Sequence, residues 1–268
     1  MKKTDFSGYS KYVYKNKNYK SAKKGKFFSV FCAIIAIVVI AFFSISFSNF
    51  LIIGKVVNIN SNHIVNSKLL YGISLESHST YKECEESIES YVKQGTAGHI
   101  FKCNNEYKIL SSIYKTKKDA ESVKNNLLKV GQEAEVIEIV LPSINLKTSL
   151  TTKSREALTS ALDVFYESYL NLYEMSIQYD KQEIDIIKVK SLTKSYIESN
   201  TKILNDFTKY FSISSNACIL YIKIHIQHVN NVLNKIVNCD ISQNFSSLIK
   251  SSYCQIVETY IDLSEEIL

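Results

Sequence analysis

Residues 107–131 read YKILSSIYKTKKDAESVKNNLLKVG, and this stretch decides the fold. Its first eight residues, ending at Tyr114, are rich in β-favouring side chains and predict a strand. The rest predicts a helix, because Ala120, Val123, Leu127 and Val130 share one face and Gly131 sits where a helix closes. Downstream, EAEVIEIVL (133–141) reads as a further strand before Pro142, the only proline. Upstream the same pattern occurs once more. LLYGISL (69–75) is a short apolar strand, and STYKECEESIESYVKQG (79–95) begins on a Ser/Thr cap. That helix puts Cys84, Ser87, Ile88, Tyr91 and Val92 on one stripe and closes on Gly95. HIFKC (99–103) is a strand, and NNE turns into Tyr107. The order β-α-β-β-α-β predicts an α+β domain over 69–141, with a four-stranded antiparallel sheet and two helices on one face.

Outside this module the composition changes on both sides. The chain has 268 residues, 32 basic against 26 acidic, and a net charge of +6. Residues 1–26 carry nine Lys and one Asp, so the other 242 residues hold 23 basic and 25 acidic groups, a net of −2. The chain is therefore not basic overall; one tail is. Residues 27–54 contain no charge and exceed the ~20 residues a helix needs to cross a bilayer. The run is too long for a secretory signal and lacks a small-residue cleavage site. The sequence predicts a single transmembrane signal anchor at 27–54, the Lys-rich 1–26 in the cytoplasm and 55–268 outside the membrane. Residues 55–68, polar and Asn-rich, read as a linker. The tail reads as a topogenic signal attracted to anionic lipid, and not as a nucleic-acid binder, because Arg155 is the only arginine.

Residues 143–268 lack Gly and Pro, and their apolar residues recur at three and four. They predict three or four antiparallel helices over 152–180, 181–211, 214–238 and 241–267. This helical domain reads either as a platform for a partner or for self-association, or as a spacer.

The doubled module resembles the SPOR domain, a peptidoglycan-binding unit of bacterial envelope proteins. The likeness is carried by Tyr107-Lys108-Ile109, Ser112-Ile113-Tyr114, Asp119-Ala120-Glu121, Leu127 and Gly131 in the second half, and by Ile73 to His78 in the first. Ser74 stands where that family has Gln, and Glu76 and Ser112 where glycines are usual. Anchor, module and lysine-rich composition together are similar to the stage II sporulation protein B group of spore-forming Firmicutes. The resemblance implies binding of peptidoglycan glycan strands on the sheet face away from the helices, at a division or sporulation septum. If Ile73, Leu75, Ile109 and Ser111 face the helices, strand alternation turns Ser74, Glu76, Lys108, Leu110 and Ser112 outward, with Tyr114 supplying an aromatic at the strand end. An RNA-binding module of the same element order would need exposed aromatics on the central strands, which these positions lack. The alternative is an envelope interaction scaffold acting through 143–268, with a degenerate SPOR-like domain.

No Ser nucleophile motif, paired-carboxylate site or phosphate loop appears, so no enzyme, cofactor or metal is expected. His225 and His228 are three apart among isoleucines and have no nearby carboxylate, which reads as a partly buried structural pair. Cys84 and Cys103 fall where a disulfide is geometrically open. Cys84 equally fits as a core thiol.

Overall fold

The computed structural model describes residues 62–147, 150–212, 216–240 and 244–267. Strands β1 (Asn62–Val65) and β2 (Lys68–His78) lead into helix α1 (Tyr81–Lys93). Then come β3 (His99–Cys103), β4 (Glu106–Tyr114), α2 (Lys117–Lys129), β5 (Glu135–Leu141) and β6 (Ile144–Lys147). The helical half is α3 (Thr152–Asp180), α4 (Ile186–Tyr210), α5 (Ala217–Asn238) and α6 (Phe245–Ile267).

Local chemistry sets these boundaries. Thr80 caps α1 in a capping box: its hydroxyl accepts from the Glu83 amide at 3.3 Å, while the Glu83 carboxylate accepts from the Thr80 amide at 3.1 Å. Thr116, Thr151, Asp185 and Asn216 cap α2, α3, α4 and α5 in the same sense, each satisfying an amide that the first turn leaves unpaired. After α1 the chain reverses through Gly98, whose φ of +56° lies in the left-handed region. A Cβ there would come within 2.4 Å of Val92 Cγ2, so the turn is packed too tightly for any other residue.

The four-stranded sheet has the order β3-β4-β2-β5, all antiparallel, and β1 pairs with β6 in a separate two-stranded ribbon. On one sheet face, α1 and α2 bury Ile73, Leu75, Cys84, Tyr91, Ile100, Ile109 and Ala120. The opposite face carries Leu70, Leu110, Ile113, Ile137, Ile139 and Leu141, and these share one core with α3, α4, α5 and α6.

Three expectations are corrected here. The fold class was read as an α+β chain led by a single transmembrane helix; among the described residues no helix is long and apolar enough to cross a membrane, and 27–54 lies outside them, as does the 1–26 tail. The sheet was expected to carry helices on one face, with a separate bundle at 143–268. Instead both faces are covered, because six branched or large apolar side chains on the second face need burial as much as those on the first. Finally, the stretch read as the 55–68 linker contains β1, whose partner β6 lies in the stretch assigned to the helical half.

Candidate functional site

The six residues named for glycan binding do not share an open face. Leu110, Ser112 and Tyr114 run along β4 beneath α6 and α3. Leu110 is 0% exposed and Ser112 4%. Ser112 Oγ and the Tyr253 hydroxyl share a hydrogen bond of 2.5 Å, and the Tyr114 ring meets Tyr173 edge-on, centroids 6.1 Å apart. Tyr253 in turn packs against Tyr169 and Tyr173. Burial pushes the Tyr253 and Tyr169 phenols well above their ordinary range and the Tyr173 phenol up to about 12, so this cluster is neutral. The Tyr169 hydroxyl is buried with no hydrogen-bond partner among the described residues.

Polar ties along the rim lock α6 to the sheet domain. His99 Nε2 lies 3.1 Å from Glu258 Oε2, and the Tyr260 hydroxyl donates to the Pro142 carbonyl at 2.8 Å. At the other end, Ser247 donates to the Val92 carbonyl and Lys250 to the Gly95 carbonyl, both at 2.8 Å, and Lys250 also pairs with Asp180 at 2.7 Å.

Ser74, Glu76 and Lys108 sit at the polar end of the sheet, divided between its two sides. One register shift leaves Ser111 of β4 unpaired opposite the Ile73–Ser74 step and the next leaves Leu75 of β2 unpaired, which breaks strict alternation in both strands, so that Ser74 pairs with Leu110 and Glu76 with Ile109. Glu76 thereby reaches α1: it accepts from the Tyr91 hydroxyl at 2.7 Å and meets His78 Nε2 at 3.0 Å. The Tyr91 hydrogen bond is the main reason its carboxyl is held below the usual range, against the opposing pull of burial. Ser74 Oγ donates to the Glu76 carbonyl at 3.1 Å. Lys108, 9% exposed, donates to Ser77 Oγ at 2.8 Å and Glu135 at 2.9 Å, with Glu106 at 3.7 Å. Burial alone would lower its ammonium; the Glu135 hydrogen bond and the Glu135 and Glu106 charges reverse that and raise it.

Beside this cluster, Ser74, Leu75, Glu76, Ser77, Glu133, Ala134 and Glu135 line an open groove of about 390 Å³. Its charged lining is three carboxylates, and Lys108 is committed to one of them. The groove is therefore poorly matched to a glycan strand whose muramic acid units carry carboxylates of their own. Sequence reading missed Ser77, Tyr91, Glu106 and Glu135, whose roles depend on the two register shifts and on a cross-strand partner 27 positions away; no local pattern signals either.

No family model, curated protein or solved structure matches the chain.

In the helical half, His225 gains a carboxylate neighbour and His228 an amide neighbour that the sequence places far away. Glu266 on α6 lies 3.8 Å from His225 Nε2, whose Nδ1 meets the Tyr221 carbonyl at 2.9 Å, and His228 Nε2 lies 3.3 Å from the Gln255 amide. Burial, then the charges of Lys235 and His225, lower the His228 pKa. Among the described residues no three His, Cys, Asp or Glu side chains are grouped to hold a metal ion. Cys84 and Cys103 are both free thiols; Cys84 is buried and its Sγ donates to the Tyr107 carbonyl at 3.4 Å.

Proposed function

We propose that the chain is a non-catalytic interaction module in which the sheet domain is a support and the helical half carries the binding surface. One observation supports this above all: Leu110, Ser112 and Tyr114, the centre of the face that would receive a glycan, lie beneath α6 and α3. A sugar needs open hydrogen-bonding groups and flat apolar patches, and on this face both are occupied by the protein itself.

Nor is α6 a removable cover. Phe245, Ile249, Tyr253, Ile256, Val257, Tyr260 and Leu263 are each at most 4% exposed. Lifting them into water would cost roughly 10 kcal/mol or more, at about 1.5–3 kcal/mol for each large side chain. That exceeds what a weak glycan contact returns. The partner class in this reading is the one expected for 143–268, an envelope or septal protein.

The test is a sedimentation assay of the full chain with purified peptidoglycan, before and after amidase removal of the stem peptides. The pellet should hold no more of the chain than of an unrelated control in either case. Retention on stripped glycan that Lys108→Ala abolishes would overturn the reading in favour of a glycan-binding sheet domain.

A further inference from the structure

Helix α5 buries one stripe and leaves another without a partner among the described residues. Ile219, Ile222, Ile226, Val229, Val232, Leu233 and Ile236 pack into the core. The outer face runs Leu220, Ile224, Gln227, Asn231 and Asn238, all exposed, with half-buried Asn234 completing the series. The spacing is 4-3-4-3-4, the repeat that keeps one seam of a helix against another over many turns. No residue of this seam is charged. Leu220 and Ile224 are each 46% exposed at its start. Depletion of charge along an exposed helical face is the compositional mark of an interface centre.

The two flanks of that seam differ in net charge, the α4 side being mainly basic and the α6 side mainly acidic despite Lys235. On the α4 side, Thr201 meets Asn230 of α5, and Lys194, Lys202 and Lys209 are exposed on the flank turned from α3, with Glu198 the one acidic residue among them. On the α6 side, Gln255 meets His228 and Lys235, Glu266 meets His225, and Asp262 lies between them on the same helical face, exposed like Glu265 and Glu266. The contacts also fix heights along α5. Asp262 and Lys202 are level with residues 228–230, and Glu266 and Lys209 with residues 222–225.

We propose that this face binds a second copy of the chain, α5 packing parallel to α5 about a two-fold axis that runs along the helix. That axis exchanges left for right and preserves height. Lys202 of one copy then faces Asp262 of the other, and Lys209 faces Glu266, on both sides of the seam at once. An antiparallel two-fold would instead set the basic flank against itself, which costs affinity. The 22 residues of α5 span about 33 Å, enough for a helical seam with charged borders. Asn231 and Asn234 each meet their own equivalent across the axis, where paired amides hold one register. The inference rests on the interaction-module reading and names its partner.

Two single-cysteine additions to the full chain, Ile224→Cys and Asn231→Cys, test the geometry under mild oxidation. Both should form disulfide-linked dimers well above the level of the native chain, because a parallel two-fold brings every seam residue to its own copy. Linkage of only one of them overturns the parallel two-fold; linkage of neither, with a chain that sediments as a monomer, overturns self-association. The charge test needs no change to the seam. Lys202→Glu with Lys209→Glu should weaken dimerisation about tenfold or more, and adding Asp262→Lys with Glu266→Lys should restore it. Absence of that rescue counts against the pairing. A monomer that also ignores peptidoglycan defeats only this inference, whereas retention on stripped glycan defeats the function from which it starts.

Discussion

The contact between Ser112 and Tyr253 is the most telling pair of atoms in the protein, because a strand expected to be open and the last helix meet there inside a dry core. Tyr253 is fully buried, so its hydroxyl has no water to turn to. Tyr253→Phe removes that bond, leaving Ser112 Oγ with the Tyr114 hydroxyl as its other side-chain partner, and should cost about 1 kcal/mol, read as a lower urea midpoint at unchanged slope. Adding Ser112→Ala should cost less than Ser112→Ala does alone, because the shared bond is already gone; a double variant whose loss equals the sum of the two single losses would show that the pair does not act as a unit. Sequence reading identified Ser112 as facing away from α1 and α2 and mistook what lies opposite. The series Lys108, Leu110, Ser112, Tyr114 mixes polar with apolar, which is how a half-solvated sheet face reads. Only a partner hydroxyl 141 positions away makes Ser112 a core residue.

Among the elements, helices were legible and strand ends were not. Apolar spacing of three and four, with Thr, Asp or Asn capping α1 to α5, marks the helices within a few residues, because both signals are local. The ribbon of β1 and β6 is short and mixes polar with apolar residues, and its pairing joins positions about eighty residues apart, so nothing local announces it. The α5–α6 seam shows a property that only packing creates. Burial, then the charges of Lys235 and His225, disfavour the protonated form of His228, so its folded pKa lies below the unfolded value of 6.5. As pH falls through that unfolded value, the unfolded chain takes up a proton that the folded one refuses, and stability drops. Asp262, raised chiefly by burial and then by Glu258, works in the opposite sense: it contributes stability at acid pH that is lost as pH rises through its folded pKa. His228→Gln should therefore flatten the fall in melting temperature on acidification from about pH 7.5 to 5.5. An unchanged slope would mean that His228 titrates alike in both states.

For the molecule as a whole, the sheet and the helices stand or fall together. The core that joins Leu70, Leu110, Ile113, Ile137, Ile139 and Leu141 to α3 and α6 is the larger of the two hydrophobic clusters. Residues 62–147 produced alone would expose that half of the sheet. They should aggregate or give collapsed amide resonances, although the β-α-β-β-α-β order reads as self-sufficient. A monomeric fragment with a cooperative melt would show that α1 and α2 suffice. The order of elements was open to the sequence; the union of the two halves was not, since periodicity tells which residues share a face and says nothing of what covers it.

The register of the β1–β6 ribbon has a mechanical consequence. Asn62 pairs with Lys147 and Val65 with Ile144, so the chain enters and leaves at the same end of the ribbon. Tension between the segment before Asn62 and the body of the protein would open that ribbon as a zipper, one rung at a time, and then run on to Lys68 and Leu141 where β2 meets β5. Rungs loaded singly yield at far lower force than rungs sheared together. The protein thus carries, at the point where its first sixty residues join it, a compliant joint that gives way long before its core.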